Sequence, residues 1–492
     1  VIVVLFVAAF CAEKGPESSI QHDVETLLSS KKYAQENIGI MVFDVDRKTT
    51  IAHVCADSMF NPASVSKLVT AAAAFEKLGP QFTFKTKVFV ESAHADSSGI
   101  NAGNLYIQGG GDPGFTAERL WLFVEHLYHS GLRKVTGDIV IDDFLFDSLL
   151  VGPGFDEDSG SRAYQPFINA LAVNFNCVAI HVRPGPVVNG PVAIDLFPEI
   201  AGIKVASSAV TAPKSGKKTA TKGKKNGLEC MTLPDLSAAS AGTGVTVEGS
   251  MKADDPGVYT FCKLWRPWES FGCALRPLLA RRGISFKGAV IHARAPKRIA
   301  AGTPFDEFES LPLSAPVNDM FKYSSNFTAE MVFKTLSARL DTTQGSWERS
   351  SALVTGWWKE QGLPGAPVIK NGSGLGNSNK LSAAQIVALL SHVWEQKSYC
   401  PDYLAALSNA GIDGTLKSRF LKSKLKGIVR AKTGTLNDHG VSALAGYILL
   451  PRGPLAFAVL CNATGHTQYE DWTIQEQVVE TVAEGLGMSA DK

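Results

Sequence analysis

Residues 61–79 read NPASVSKLVTAAAAFEKLG, and they narrow the fold more than any other stretch of the 492-residue chain. Leu68, Ala71, Ala72, Phe75 and Leu78 recur at helical spacing. Gly79 and Pro80 then supply a stop signal. The spacing predicts a helix over 64–78 whose alanines let neighbouring elements pack closely, so it reads as the central helix of a domain. Lys67 sits at its start, three residues after Ser64. A lysine is costly to bury, so either it reaches solvent or a site uses it.

The rest of the chain fits around this helix. VETLLSSKKYA predicts a helix, IGIMVFDVD a strand and DRKTTIAHV its hairpin return. After residue 84 the texture becomes β-like, with FKTKVFV, NLYIQG, GDIVIDD and later GVTVEGSMKA. Helices are expected over AERLWLFVEHLYHSGL and WESFGCALRPLLARRGI. From about 301 the chain turns α/β again. MFKYSSNFTAEMVFKTLSARL reads as a helix entered through a polar turn, and SAAQIVALLSHVWEQ as another. GIVRAKTGTL, VSALAGYILL and LAFAVLCNA are three successive strands, and IQEQVVETVAEGL closes as a helix. The expected organisation is a residual signal segment over 1–15, a catalytic domain over 16–84 and 301–492, and inserted β-rich domains over 85–300.

Composition removes several function classes. A net charge of +1 supplies no field for nucleic acid. The apolar opening VIVVLFVAAFCA is too short to span a bilayer and suits the h-region of a secretion signal, so the protein is expected in the periplasm or cell envelope. Cys11 leaves a lipid anchor as the less favoured alternative. The eight cysteines include no C-x-x-C pair, which argues against zinc-ribbon and thioredoxin-type sites. They are read as small buried apolar residues or as unassigned disulfides. No H-E-x-x-H or H-x-x-E-H pattern occurs, and neither metal nor cofactor is expected. His126 and His129 read as a solvated helix face. Asp438 and His439 read as a strand-end turn. The lysine-rich segment 214–225 reads as a solvated loop, with contact to anionic envelope polymers as the minor alternative.

The chemistry gathers at three short motifs. Residues i and i+3 of a helix share a face, so the Ser64 hydroxyl and the Lys67 amine can meet. A helix N-terminus and burial both favour a neutral amine, one able to take the serine proton. That makes an activated nucleophile without histidine. S-x-x-K also occurs at Ser29, Ser215 and Ser423, but only Ser64 is followed by an apolar helix that buries the pair. YSSN offers Ser324 and Asn326 at the mouth of a helix, and AKTGT puts Lys432, Thr433 and Gly434 on a strand. S-x-x-K with S-D-N and K-T-G is the signature of penicillin-binding proteins and β-lactamases; here the second element reads S-S-N, and the order along the chain is the same.

The chain resembles the low-molecular-mass class C penicillin-binding proteins, the D-alanyl-D-alanine carboxypeptidase/endopeptidase type. Ser64 and Ser324 lie 260 positions apart, and that family carries a large insertion there. LGPQFTF, GGGDP, GDIVIDD, ALAVNFN, NGSGLG and GIDGTL also resemble it. The resemblance implies an α/β (α+β) transpeptidase-type domain split by one or two β-rich domains. It implies Ser64 as nucleophile and Lys67 as base. Ser324 would relay a proton to the leaving amine, with Asn326 positioning Lys67. Lys432 and Thr433 would face the substrate carboxylate, and Gly434 would let substrate backbone lie close. The backbone N–H groups of Ser64 and Thr435 would form the oxyanion hole. Ser373 and Asn377, on the glycine-rich loop, are expected near the substrate. The implied partners are peptidoglycan stem peptides and β-lactam antibiotics. The family's loop commonly reads DGSGLSR; here it reads NGSGLGN, and Asn377 replaces an arginine associated with a stem-peptide carboxylate. Two other readings compete: a β-lactamase or esterase of the same fold, and a non-catalytic envelope-binding protein.

Overall fold

The computed structural model describes residues 16–97, 99–155, 160–214, 227–237, 241–341 and 343–487. Cys11, with the signal segment, and nearly all of the lysine-rich 214–225 stretch lie outside those residues. The described chain forms two compact units. One comprises the residues up to Val65 together with Lys359–Val368 and those from Asn379 onward; the other comprises Ser66–Trp358 and Ile369–Ser378.

The first unit is built on a six-stranded sheet in the order Ser408–Asn409, Val429–Leu436, Val441–Leu450, Gly453–Asn462, Ile38–Asp44, Thr49–Val54, antiparallel throughout. The strands expected from VSALAGYILL and LAFAVLCNA are buried along nearly their whole length, which explains why they read as continuous apolar runs rather than as alternating ones. Helices Pro16–Ser30 and Gln468–Gly485 cover one face of the sheet. Ile20, Val24 and Leu28 pack there with Val478, Val482 and Phe457. Helix Ala383–Glu395 packs against the same sheet and begins with a reciprocal Ser382–Gln385 capping box.

In the second unit, helices Ser66–Leu78 and Asn326–Leu340 pack together. Each is buried almost all round, the mark of a core helix. Between residues 85 and 309 the described residues form four further sheets. The five-stranded one runs Val290–His292, Ile139–Asp142, Leu105–Gln108, Lys85–Val90, Asp306–Glu309. Helices Ala117–His129 and Pro267–Arg282 share a core with these strands through Phe123, Leu127, Phe271 and Leu275. His126 and His129 are exposed, as expected.

Two local expectations change. The helix predicted over 64–78 is α-helical only from Ser66, because Ala63–Val65 forms a 3-10 turn first. The helix predicted over MFKYSSNFTAEMVF is two helices, Ser314–Lys322 and Asn326–Leu340. They are separated by Ser324, whose φ of 57° no α-helix tolerates. The seven described cysteines are all free thiols. No described helix is long and apolar enough to cross a membrane.

Candidate active site

In the first unit, the turn bearing Ser64 is held by two asparagines. The Asn61 side chain accepts from the Ala63 N–H at 2.9 Å, the local bond asparagine makes to shape a turn. Asn462 grips the Asn61 backbone on both sides. Its Oδ1 accepts from the Asn61 N–H at 2.8 Å, and its Nδ2 donates to the Asn61 carbonyl at 3.0 Å. Ala63 is thereby kept at a φ of 45°, a conformation that costs a non-glycine residue about 1–3 kcal/mol. Ser64 comes out half-buried, whereas Ser66 is fully buried. Only Ser64 is accessible enough to meet a substrate.

Strand Val429–Leu436 passes beside this turn. A Cβ at Gly434 would stand 2.7 Å from the Pro62 carbonyl oxygen and 3.1 Å from both Ala63 Cβ and Ser64 N. The glycine is therefore required by the serine turn itself, a different reason from the close substrate approach expected. Lys432 lies two residues earlier and so on the same face of the strand. It is fully buried, and burial pushes its ammonium down to about 7. Its Nζ donates to the Thr433 carbonyl at 2.6 Å. The Thr433 hydroxyl donates to that of Thr415 at 2.8 Å. Thr415 belongs to GIDGTL and was not singled out as a site residue. Thr433 and Thr435 are both half-buried.

In the second unit, Lys67 is fully buried. Its Nζ donates to Asn326 Oδ1 at 2.7 Å and to the Ser373 carbonyl at 2.9 Å. The first and second motifs thus meet through Lys67 and Asn326. The other end of the Asn326 amide donates to the Tyr164 carbonyl at 2.9 Å, so the amide is fixed at both ends. Ser325 caps the Asn326–Leu340 helix by accepting from the Thr328 N–H. The half-buried Ser324 stands just outside that cap.

The glycine-rich loop differs in detail from expectation. Ser373 is fully buried and reaches Lys67 through its carbonyl, while its hydroxyl accepts from the Leu375 N–H at 3.2 Å. Asn371 is buried and structural: its Nδ2 donates to the Pro153 and Leu375 carbonyls and its Oδ1 accepts from Gly374 N–H. Asn377 is exposed. The residue missed altogether is Glu330, fully buried, whose carboxylate accepts from the Gly372 and Ser373 N–H groups. Its signal was a charged residue in the apolar run FTAEMVF. Among the described residues, no group of histidine, cysteine and acidic side chains is arranged to hold a metal.

Comparison with known proteins places the chain among known relatives. The model of the D-Ala-D-Ala carboxypeptidase 3 (S13) family matches residues 20–484. A D-alanyl-D-alanine carboxypeptidase of Actinomadura sp. (strain R39) is 29% identical over 484 residues, covering 96% of this chain and 86% of its own. The crystal structure of penicillin binding protein 4 (dacB) from Haemophilus influenzae superposes with a TM-score of 0.77 at 22% identity, covering 94% of this chain and 99% of the other. The same protein complexed with a β-lactam matches with a TM-score of 0.72. The mixed α/β fold expected from the sequence is the fold of that protein.

Proposed function

The chain belongs to the D-Ala-D-Ala carboxypeptidase 3 (S13) family, and from that membership we propose how its own residues carry the reaction. It is a serine-type D-Ala-D-Ala carboxypeptidase, a hydrolase of peptidoglycan stem peptides that β-lactams acylate. Ser64 Oγ attacks the carbonyl carbon between the two terminal D-alanines while Lys67 Nζ takes the hydroxyl proton. The tetrahedral oxyanion accepts from the backbone N–H groups of Ser64 and Thr435, donors that need no rearrangement as charge develops. The C–N bond then breaks, and Ser324 relays a proton to the departing D-alanine amine. Water hydrolyses the acyl-enzyme and regenerates Ser64.

The single observation that supports this reading best is the burial of the Lys67 amine, held at Asn326 Oδ1 and at the Ser373 carbonyl. Burial disfavours the charged form of an amine, and the neutral form is the one a base needs. Lys432 answers the substrate carboxylate: burial leaves its ammonium near the neutral point, and an arriving anion favours the charged form. Thr433 turns its hydroxyl to the same carboxylate, and Asn377 faces the stem peptide from the exposed loop.

The substrate places the enzyme's work in the cell envelope. Export by the opening segment, the block 85–300 as an insertion, and envelope contact through 214–225 are further parts of this proposal. The test is paired kinetics. Purified enzyme should release D-alanine from a D-Ala-D-Ala peptide and turn over penicillin slowly. Rapid penicillin turnover without D-alanine release would instead favour a β-lactamase.

A further inference from the structure

Glu330 lies one helical turn after Asn326, on the same face of helix Asn326–Leu340. It is fully buried, a placement that demands compensation for a carboxylate. Three N–H groups supply it. Oε2 accepts from Trp347 Nε1 at 2.8 Å and from Gly372 N at 2.9 Å, and Oε1 accepts from Ser373 N at 2.9 Å. One turn further along, Lys334 stacks over the Trp347 ring at 4.0 Å and pairs with Asp147 at 2.7 Å. The carboxylate therefore sits in a built environment.

Other groups hold the same loop. The Gly372 carbonyl accepts from Thr70 Oγ1 at 2.8 Å, and the Gly374 N–H donates to Asn371 Oδ1 at 2.7 Å. Gly372 is pressed so closely onto the helix that a Cβ would stand 2.6 Å from the Ala329 carbonyl oxygen. The Ser373 carbonyl points the other way and accepts from Lys67 Nζ. In a planar trans peptide, the Gly374 N–H and the Ser373 carbonyl are opposed. Asn371 holds that plane at the Gly374 N–H, and Glu330 holds the two amides before it, at Gly372 and Ser373, so together they fix the oxygen that holds the lysine.

We propose that Glu330 is a positioning residue for the general base: its carboxylate helps set the loop carbonyl that, with Asn326, holds the Lys67 amine in place. This rests on Lys67 acting as base, as proposed above. Asn326 and Glu330 thus hold the amine from one helix face, directly and through the loop.

Glu330→Gln keeps the shape but removes the charge, and sets an NH2 group against an N–H donor that needs an acceptor. With enzyme titrated for active sites, the first-order acylation constant for a penicillin should fall about tenfold or more. The non-covalent binding constant should stay within about threefold. A purely structural role would lower the active fraction or the melting temperature and leave the acylation constant per active site unchanged; that result overturns the proposal. Should Glu330→Gln not fold, the near-isosteric Thr70→Val decides. It releases the same loop from the other side, and an acylation constant at the wild-type value would overturn the proposal. The reading beneath it fails separately, if the wild-type label maps away from Ser64 or Lys67→Arg acylates at full rate.

Discussion

Gly434→Ala isolates the packing that presents the nucleophile. Gly434 pairs with Ala443 in an ordinary strand register and does not have a left-handed φ, so alanine meets no conformational objection. The objection is steric. The new Cβ would lie 2.7 Å from the Pro62 carbonyl oxygen and 3.1 Å from Ser64 N, both backbone atoms that no side-chain rotation can move. The turn must retreat by several tenths of an ångström, against the Asn61–Asn462 clamp. Overpacking of this kind costs about 1–3 kcal/mol, offset by roughly 0.5–1 kcal/mol from the better strand propensity of alanine. The net loss of stability should be small. The effect on rate should be larger, since a misplacement of about 1 Å costs a reaction about a hundredfold. We expect the second-order acylation constant with a fluorescent penicillin to fall ten- to a hundredfold, with only a modest drop in melting temperature. Acylation within about twofold of wild type would show that Gly434 does not shape the serine turn, and would refute this reasoning.

Further outcomes follow from the same geometry. Lys67→Arg should be nearly inactive in stopped-flow acylation, because a guanidinium stays protonated and cannot act as base. Lys432 is shifted down by burial to about 7. The penalty for its charge is therefore fully present below about 7 and is relieved as pH rises toward the unfolded lysine value of about 10.4. Lys432→Met should accordingly stabilise the fold by on the order of a few kcal/mol at pH 6 and by much less at pH 10; an equal gain at both would contradict the shift. In the wild type, affinity for a D-Ala-D-Ala carboxylate should weaken above neutrality as that charge is lost. Asn377→Arg should raise kcat/KM for a stem peptide with a free side-chain carboxylate by about tenfold over its amidated partner, and a wild-type preference of a hundredfold would mean that another cation already serves.

Much of this was legible in the sequence, and the parts that were not share a cause. The strands of the first unit are continuous apolar runs, and the helices carry regular apolar spacing, so period alone reveals them. The three motifs stand out because serine, lysine and asparagine sit at the entry of apolar elements. Left-handed backbone at a non-glycine residue has no such signal. Ala63 and Ser324 therefore gave no warning that the Ser64 helix begins as a 3-10 turn or that one predicted helix is two. Backbone groups are equally silent. Ser373 was expected near the substrate and instead is buried and reaches Lys67 through its carbonyl. Asn371 stands where the resembling family commonly has aspartate and is a loop brace. Glu330 was visible as a charge in an apolar stretch, but its meaning depends on a loop 42 residues away in the chain.

The most direct measurement is mass-spectrometric mapping of the peptide labelled by a fluorescent penicillin, in the wild type and in Ser64→Ala and Ser66→Ala. The account predicts one adduct on Ser64, no labelling of Ser64→Ala, and labelling retained in Ser66→Ala, whose hydroxyl is fully buried. An adduct on another residue, or labelling that persists in Ser64→Ala, would contradict it.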